Sequence, residues 1–330
     1  MSNTRYKRGS WLLVVHCIFV LICSVEGSTA SGDTLVSKPS SSGVKPKNYI
    51  FPPLLSFFLP GFDQWVEGDY RYATAYSGSA LAGIVYSREN RSQLAEDLEG
   101  KEGFSEEWQE NRLIHGELER KIALGGQITF ASGSFSAYHS FRTATKSRRQ
   151  LGEFTFLPEE TPEDILLSPF RFDYIFKSST YIPLSIAAGF LFLNQASILP
   201  DEYVRDSFSG SDLFYSGATS YLAGTHEEAL YRGVIMPGIM NSVQSEFWSN
   251  SATAFLFAIS HLATVDVPLP QFLLGWHLGN VTQNNKWSIS ESVFIHTWWN
   301  VFAFVSIYNT RKKQPERKST LWLPGIAVNF

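Results

Sequence analysis

Cysteine is nearly missing from the 330-residue chain: Cys17 and Cys23 are the two, both inside an apolar run near the N-terminus. With that run removed no thiol remains, which excludes disulfides, thiolate metal sites and a cysteine nucleophile. Excess charge of one sign is missing too, since 27 Lys and Arg against 31 Asp and Glu leave a net charge of -4. No Lys/Arg stripe interleaved with aromatics occurs, so nucleic acid is not an expected partner. His-Glu-x-x-His is absent: His226 precedes Glu227, and no histidine follows at the needed spacing, which excludes the soluble zincin arrangement. There is no internal repeat. The many alternating strands of a membrane barrel are lacking as well, although the chain closes on Leu321-Trp322-Leu323 and a terminal Phe330.

What the chain does have is apolar residues in blocks. A hydrophobic share of 44% is rich for a soluble protein, yet the mean hydropathy is only -0.07. The two agree once charges are mapped. They gather at Arg88–Lys121, Arg142–Glu163 and Arg311–Lys318 and leave long, nearly uncharged runs between.

Residues 1–30 read as a signal peptide, with a basic start, an apolar run from Trp11 to Val25 and a small-residue exit at Ser28-Thr29-Ala30. A retained N-terminal anchor is the alternative, disfavoured because the run is short for a span. Residues 31–48 form a Ser/Gly/Pro/Lys-rich flexible linker. Ile50–Phe62 is apolar but broken by Pro52-Pro53 and Pro60-Gly61, too kinked to cross a bilayer as one helix. Helical spans are expected at Tyr72–Tyr86, Ile122–Phe141, Thr180–Leu199, from Leu213 into the glutamates, Phe247–Val265, Leu269–Val281 and Ser288–Ile307. The acidic stretch from Glu96 to Glu110 reads as a solvated amphipathic helix, and the Pro-rich Leu157–Pro169 as a surface connection.

The fold class expected is therefore all-α, a multi-pass transmembrane helical bundle. Its divisions are a membrane-associated N-terminal region at 49–176, a core at 177–310 and a tail at 311–330. Arg311-Lys312-Lys313 points to a cytoplasmic C-terminus in the cytoplasmic (inner) membrane.

The chemistry concentrates between Thr219 and Asn300. Ionisable side chains within apolar helices are costly and need an interior, a partner and usually a function. Glu228 and Arg232 are four apart and share a helix face, whereas Glu227 is turned about 100° away. One carboxylate is then paired and the other free, which suggests distinct roles. On a solvated helix the same pattern would be only an exposed ion pair, but Leu230, Val234, Ile235 and Met236 surround this one. Phe257 and His261 repeat the four-residue spacing, and so do His296 and Asn300. Taken alone, His261 reads as a buried structural imidazole, and the His296–Asn300 pair is a weak signal. Phe135 and His139 form a decoy of the second pattern, and His226 and His277 fit none.

Together and in this order, Glu-Glu-x-x-x-Arg, Phe-x-x-x-His and His-x-x-x-Asn resemble the signature of the CPBP (Abi) family of intramembrane proteases, which includes the type II CAAX prenyl endopeptidases. The resemblance runs over about Thr180–Ile307 and includes the Gly275-x-x-x-Gly279 helix. It implies Glu227 as general base for an attacking water, and His261 as a group that holds or polarises that water. It also implies His296 and Asn300 as oxyanion donors, with Glu228, Arg232 and Phe257 as structural support. A divalent metal, if the reaction uses one, would be zinc on Glu227, His261 and His296; no other cofactor is implied. The expected partners are the lipid bilayer and a membrane-associated peptide or protein substrate. The competing expectations are a non-catalytic membrane scaffold of the same fold and a proton-coupled transporter, for which inverted repeats are not found.

Overall fold

The computed structural model describes residues 46–98, 112–196, 203–204, 210–262, 268–308, 311–312, 320–323 and 326–329. The expected signal or anchor at 1–30, most of the linker and most of the acidic stretch lie outside them.

Nearly all of the described chain is helix. Helix α1 (Phe51–Phe58) starts on Pro52-Pro53, whose missing N–H groups cost nothing in a first turn, and α2 (Phe62–Val66) follows the Pro60-Gly61 turn. Helices α3 (Tyr70–Leu98) and α4 (Arg112–Arg148) run antiparallel over much of their length. The pairing is visible where Thr129 donates to the Ala80 carbonyl and where Tyr76 meets His139 at 3.4 Å.

The Pro-rich connection that follows is more than a surface link. The guanidinium groups of Arg142 and Arg149 donate to the backbone carbonyls of Leu157 and Pro158. Thr161 and Asp164 close a capping box that starts α5 (Pro162–Leu167). Between them Glu160 reaches across 129 positions of sequence to the start of the last helix. It accepts from Ile289 N at 3.1 Å, Ser288 Oγ at 2.7 Å and Ser290 Oγ at 2.8 Å.

Helix α6 (Ser178–Ala196) leads to the segment that carries the motifs. Helix α7 (Gly210–Leu230) passes through a π-helical turn at Tyr231–Ile235 into α8 (Met236–Val243). Gln244 in the left-handed region and the Ser245 cap start α9 (Glu246–Ser260). Helices α10 (Leu269–Asn284) and α11 (Ser290–Tyr308) complete the body. Two short antiparallel ladders stand apart from this plan. They pair β1 (Tyr203–Val204) with β2 (Arg311–Lys312) and β3 (Thr320–Leu323) with β4 (Ile326–Asn329).

The core sits where α4, α5, α7 and α11 meet, with Phe135, Tyr138, Ile165, Ala229, Ile289 and Val293 buried together. Helix α11 is fixed at its first turn by a second carboxylate, this one buried. Glu291 accepts from Lys177 Nζ at 2.6 Å, Asn285 Nδ2 at 2.8 Å, Thr180 Oγ1 at 3.1 Å and the Ser179 hydroxyl, joining the start of α6 and the end of α10 to it.

The all-α expectation holds, and helices form at each of the seven expected positions. Their character differs from the expectation in one respect: among the described residues no helix is both long and apolar enough to cross a membrane. Helices α9 and α10, of 15 and 16 residues, fall short of the roughly 20 that about 30 Å of hydrocarbon requires. Longer α3 and α4 carry charges toward their ends, and α7 is rich in Ser, Gly and Thr.

Candidate active site

Helix α7 delivers Glu227 and Glu228, and what orients them is its crossing with α11. A Cβ placed on Gly224 would lie 2.2 Å from Thr297 Oγ1 and 2.7 Å from the Thr297 Cα and N. Only glycine permits that approach, and it brings the two glutamates beside His296, one residue before Thr297.

Beyond Leu230 the helix widens into the π turn. Pro237 has no N–H to give to the carbonyl four residues before it, so the usual ladder is interrupted there. Arg232 lies in this turn and is wholly buried. Its Nη1 donates to Glu228 Oε1 at 2.8 Å, its Nη2 donates to the Gly275 carbonyl at 2.6 Å, and its guanidinium lies 4.8 Å from the Phe257 ring centroid. One planar cation thus joins α7, α10 and α9.

The same Glu228 Oε1 also takes a hydrogen bond from His296 Nδ1 at 2.8 Å. His261, the residue that ends α9, donates its Nδ1 proton to the Phe257 carbonyl at 2.8 Å. Carboxylate and carbonyl oxygens only accept, so both rings carry their proton on Nδ1 and turn Nε2 elsewhere. Elsewhere is Glu227: His261 Nε2 and His296 Nε2 each stand 3.8 Å from Glu227 Oε2. That oxygen is buried and has no hydrogen-bond partner among the described residues. A buried carboxylate oxygen left without a partner is expensive unless a water or substrate group completes it. Phe257 packs against both imidazoles, with ring centroids 4.6 Å from His261 and 5.7 Å from His296. Asn300 follows His296 by one turn of α11 and is buried.

Four elements therefore bring Glu227, Glu228, Arg232, Phe257, His261 and His296 into one contiguous cluster, with Asn300 on the same helix as His296. The decoy stays away from it: His139 faces Tyr76 and, at 3.8 Å, Asp69. His226 points to α4, where its Nε2 meets Gln127 Oε1 at 2.7 Å, and His277 meets the Ser179 carbonyl at 3.0 Å. Among the described residues no three His, Cys, Asp or Glu side chains are grouped to hold a metal ion. Glu227 Oε2 stands 3.8 Å from the Nε2 atoms of both His261 and His296, wider than the roughly 3.3 Å between ligands that sit about 2.0–2.1 Å from a tetrahedral zinc, so the suggested trio does not fit a zinc ion as it stands.

Two contacts escaped the sequence reading. The bond from His296 to Glu228 joins residues 68 apart, and the Gly275 carbonyl that takes Arg232 is backbone, invisible to side-chain patterns. The Gly275-x-x-x-Gly279 spacing was the available signal for the second. It marks where α10 comes close enough to α9 for a Cβ on Gly275 to crowd Phe257 and Arg232.

No curated protein and no solved structure matches the chain. Residues 209–302, from the start of α7 into α11, match the family model described as type II CAAX prenyl endopeptidase Rce1-like, and the matched segment carries all three motifs.

Proposed function

We propose that this protein is an intramembrane endopeptidase in which Glu227 activates water for attack on a peptide bond of a membrane-held polypeptide. One observation carries the reading: Glu227 Oε2 is buried, has no hydrogen-bond partner among the described residues and is faced at 3.8 Å by the Nε2 atoms of two histidines.

In this reading a water between these groups gives one proton to Glu227, and its oxygen attacks the scissile carbonyl carbon. His261 Nε2 accepts the other water hydrogen and aims the lone pair. The oxyanion is met by the Asn300 amide and by His296. Because the His296 Nδ1 proton is already engaged by Glu228, it is Nε2–H of His296 that reaches the oxyanion. As the tetrahedral intermediate collapses, Glu227 returns its proton to the departing amine nitrogen. No covalent intermediate forms and no cofactor is used. Glu228 and Arg232 hold the two acting residues in register and touch no substrate.

The bilayer as surroundings is supported by an inverted distribution of polarity. Ser, Thr, Asn, Glu and Arg side chains fill much of the interior, whereas large apolar side chains face outward, among them Phe176 at 87%, Trp248 at 64% and Phe214 at 61% exposure. The inner membrane and a cytoplasmic C-terminus rest on the basic Arg311-Lys312-Lys313 alone. The family description makes a polypeptide with a prenylated C-terminal CAAX box the first substrate to test.

The test is a comparison of membranes containing the full chain with membranes containing Glu227→Gln, each given a farnesylated CAAX peptide and also surveyed for new peptide termini. Termini that appear only with the unsubstituted chain are the expected result. Identical termini in both, at equal protein level, would overturn the reading in favour of a non-catalytic scaffold.

A further inference from the structure

A cavity of about 1060 Å³ lies apart from the cluster just described. Its walls come from two sources: α1, α3 and α4, with Phe57, Ile84 and Phe130, and the π turn, α8 and α9, with Ile235, Ile239 and Leu256. The N-terminal wall lies wholly outside the family-matched segment. Its volume is at the upper end of the roughly 300–1,000 Å³ typical of small-molecule sites.

The chemistry of the walls selects an occupant. Apart from a few hydroxyls they are apolar, and among the described residues the charged ones lining the cavity are Arg88 and Arg91. These are three apart on α3, hence on one face, and both are exposed at the rim. A peptide strand would enter with backbone N–H and C=O groups that these walls cannot satisfy, at a heavy desolvation cost. A hydrocarbon chain carries no such groups. Paired guanidiniums present forks that match the oxygens of a phosphate.

We propose that this cavity holds the acyl portion of an anionic phospholipid, with Arg88 and Arg91 on its phosphate. The bound lipid lies against Tyr231, which lines the cavity and meets Phe257 edge-on, 5.2 Å between ring centroids. Lipid occupancy therefore supports the back of the wall on which the catalytic cluster is built. The proposal does not depend on hydrolysis by Glu227.

The test is native mass spectrometry of the full chain in mild detergent, titrated with dioleoyl phosphatidylglycerol or dioleoyl phosphatidylcholine. A saturable one-to-one adduct with phosphatidylglycerol is expected, about tenfold weaker with phosphatidylcholine and about tenfold weaker in Arg88→Gln/Arg91→Gln. Gly238→Phe should remove it, because a Cβ at Gly238 meets nothing within 4 Å and the ring can grow into the cavity it lines. Should that variant not fold by circular dichroism, Gly126→Phe fills the same cavity from α4 on the same grounds. Equal binding of both lipids, or adducts indifferent to the arginine and cavity-filling changes, would overturn the proposal.

Discussion

One oxygen of Glu228 receives two donors, His296 Nδ1 and Arg232 Nη1, each at 2.8 Å. The pair that looks like an ordinary helix ion bridge in the sequence is thus also the anchor of an imidazole on another helix. A single buried carboxylate sets the tautomer of His296 and the position of the Arg232 fork at once.

Removing that carboxylate should be felt first as instability. Glu228→Ala strands a guanidinium that is fully buried, and breaking a buried ion pair from one side costs about 3–5 kcal/mol. Denaturant unfolding of the reconstituted chain is the measurement. Arg232→Lys is expected to fare nearly as badly, since an ammonium cannot reach Glu228, the Gly275 carbonyl and the Phe257 face together.

Gly224→Ala should lower activity through geometry. The new methyl meets not only Thr297 Oγ1 but its Cα and N, so α7 and α11 must move apart. Overpacking of this kind costs about 1–3 kcal/mol, and the same movement carries Glu227 away from His296. Adding Thr297→Ala should not restore cleavage, because the backbone contacts remain; full rescue would show that the hydroxyl alone was in the way.

A metal-free route has its own consequence. Cleavage by the full chain is expected to survive prolonged treatment with a strong zinc chelator. Loss of activity that added zinc restores would instead assign Glu227, His261 and His296 as ligands drawn together by the ion.

The helices were legible in the sequence because their apolar blocks are long and punctuated. Pro52-Pro53 sits at the start of α1, and the Asn241–Ser245 break falls at the end of α8 and the cap of α9. The motif residues were legible as i,i+4 pairs, and α7, the π turn, the end of α9 and α11 bring all of them but Asn300 into one cluster, with Asn300 one turn along α11. What periodicity cannot carry is contact between helices. Nothing local marks Glu160 as the residue that caps α11, nor Gln127 as the partner of His226, because each pairing spans about 100 residues or more. The π turn was also invisible, although Pro237 stands just after it. Bilayer spans were expected from apolar composition, and no described helix meets that length and apolarity. Small and hydroxylated residues occupy the faces that pack inward, where close approach and hydrogen bonding matter more than hydrophobicity.

Glu160 gives the N-terminal region a significance that its lack of family likeness hides. Excising residues 209–302 as a minimal enzyme would leave the first turn of α11 with an amide and two hydroxyls looking for an acceptor, and would strip His226 and Asp212 of their α4 partners as well. The stretch that matches the family model and the set of contacts that holds its helices in place do not end at the same residues.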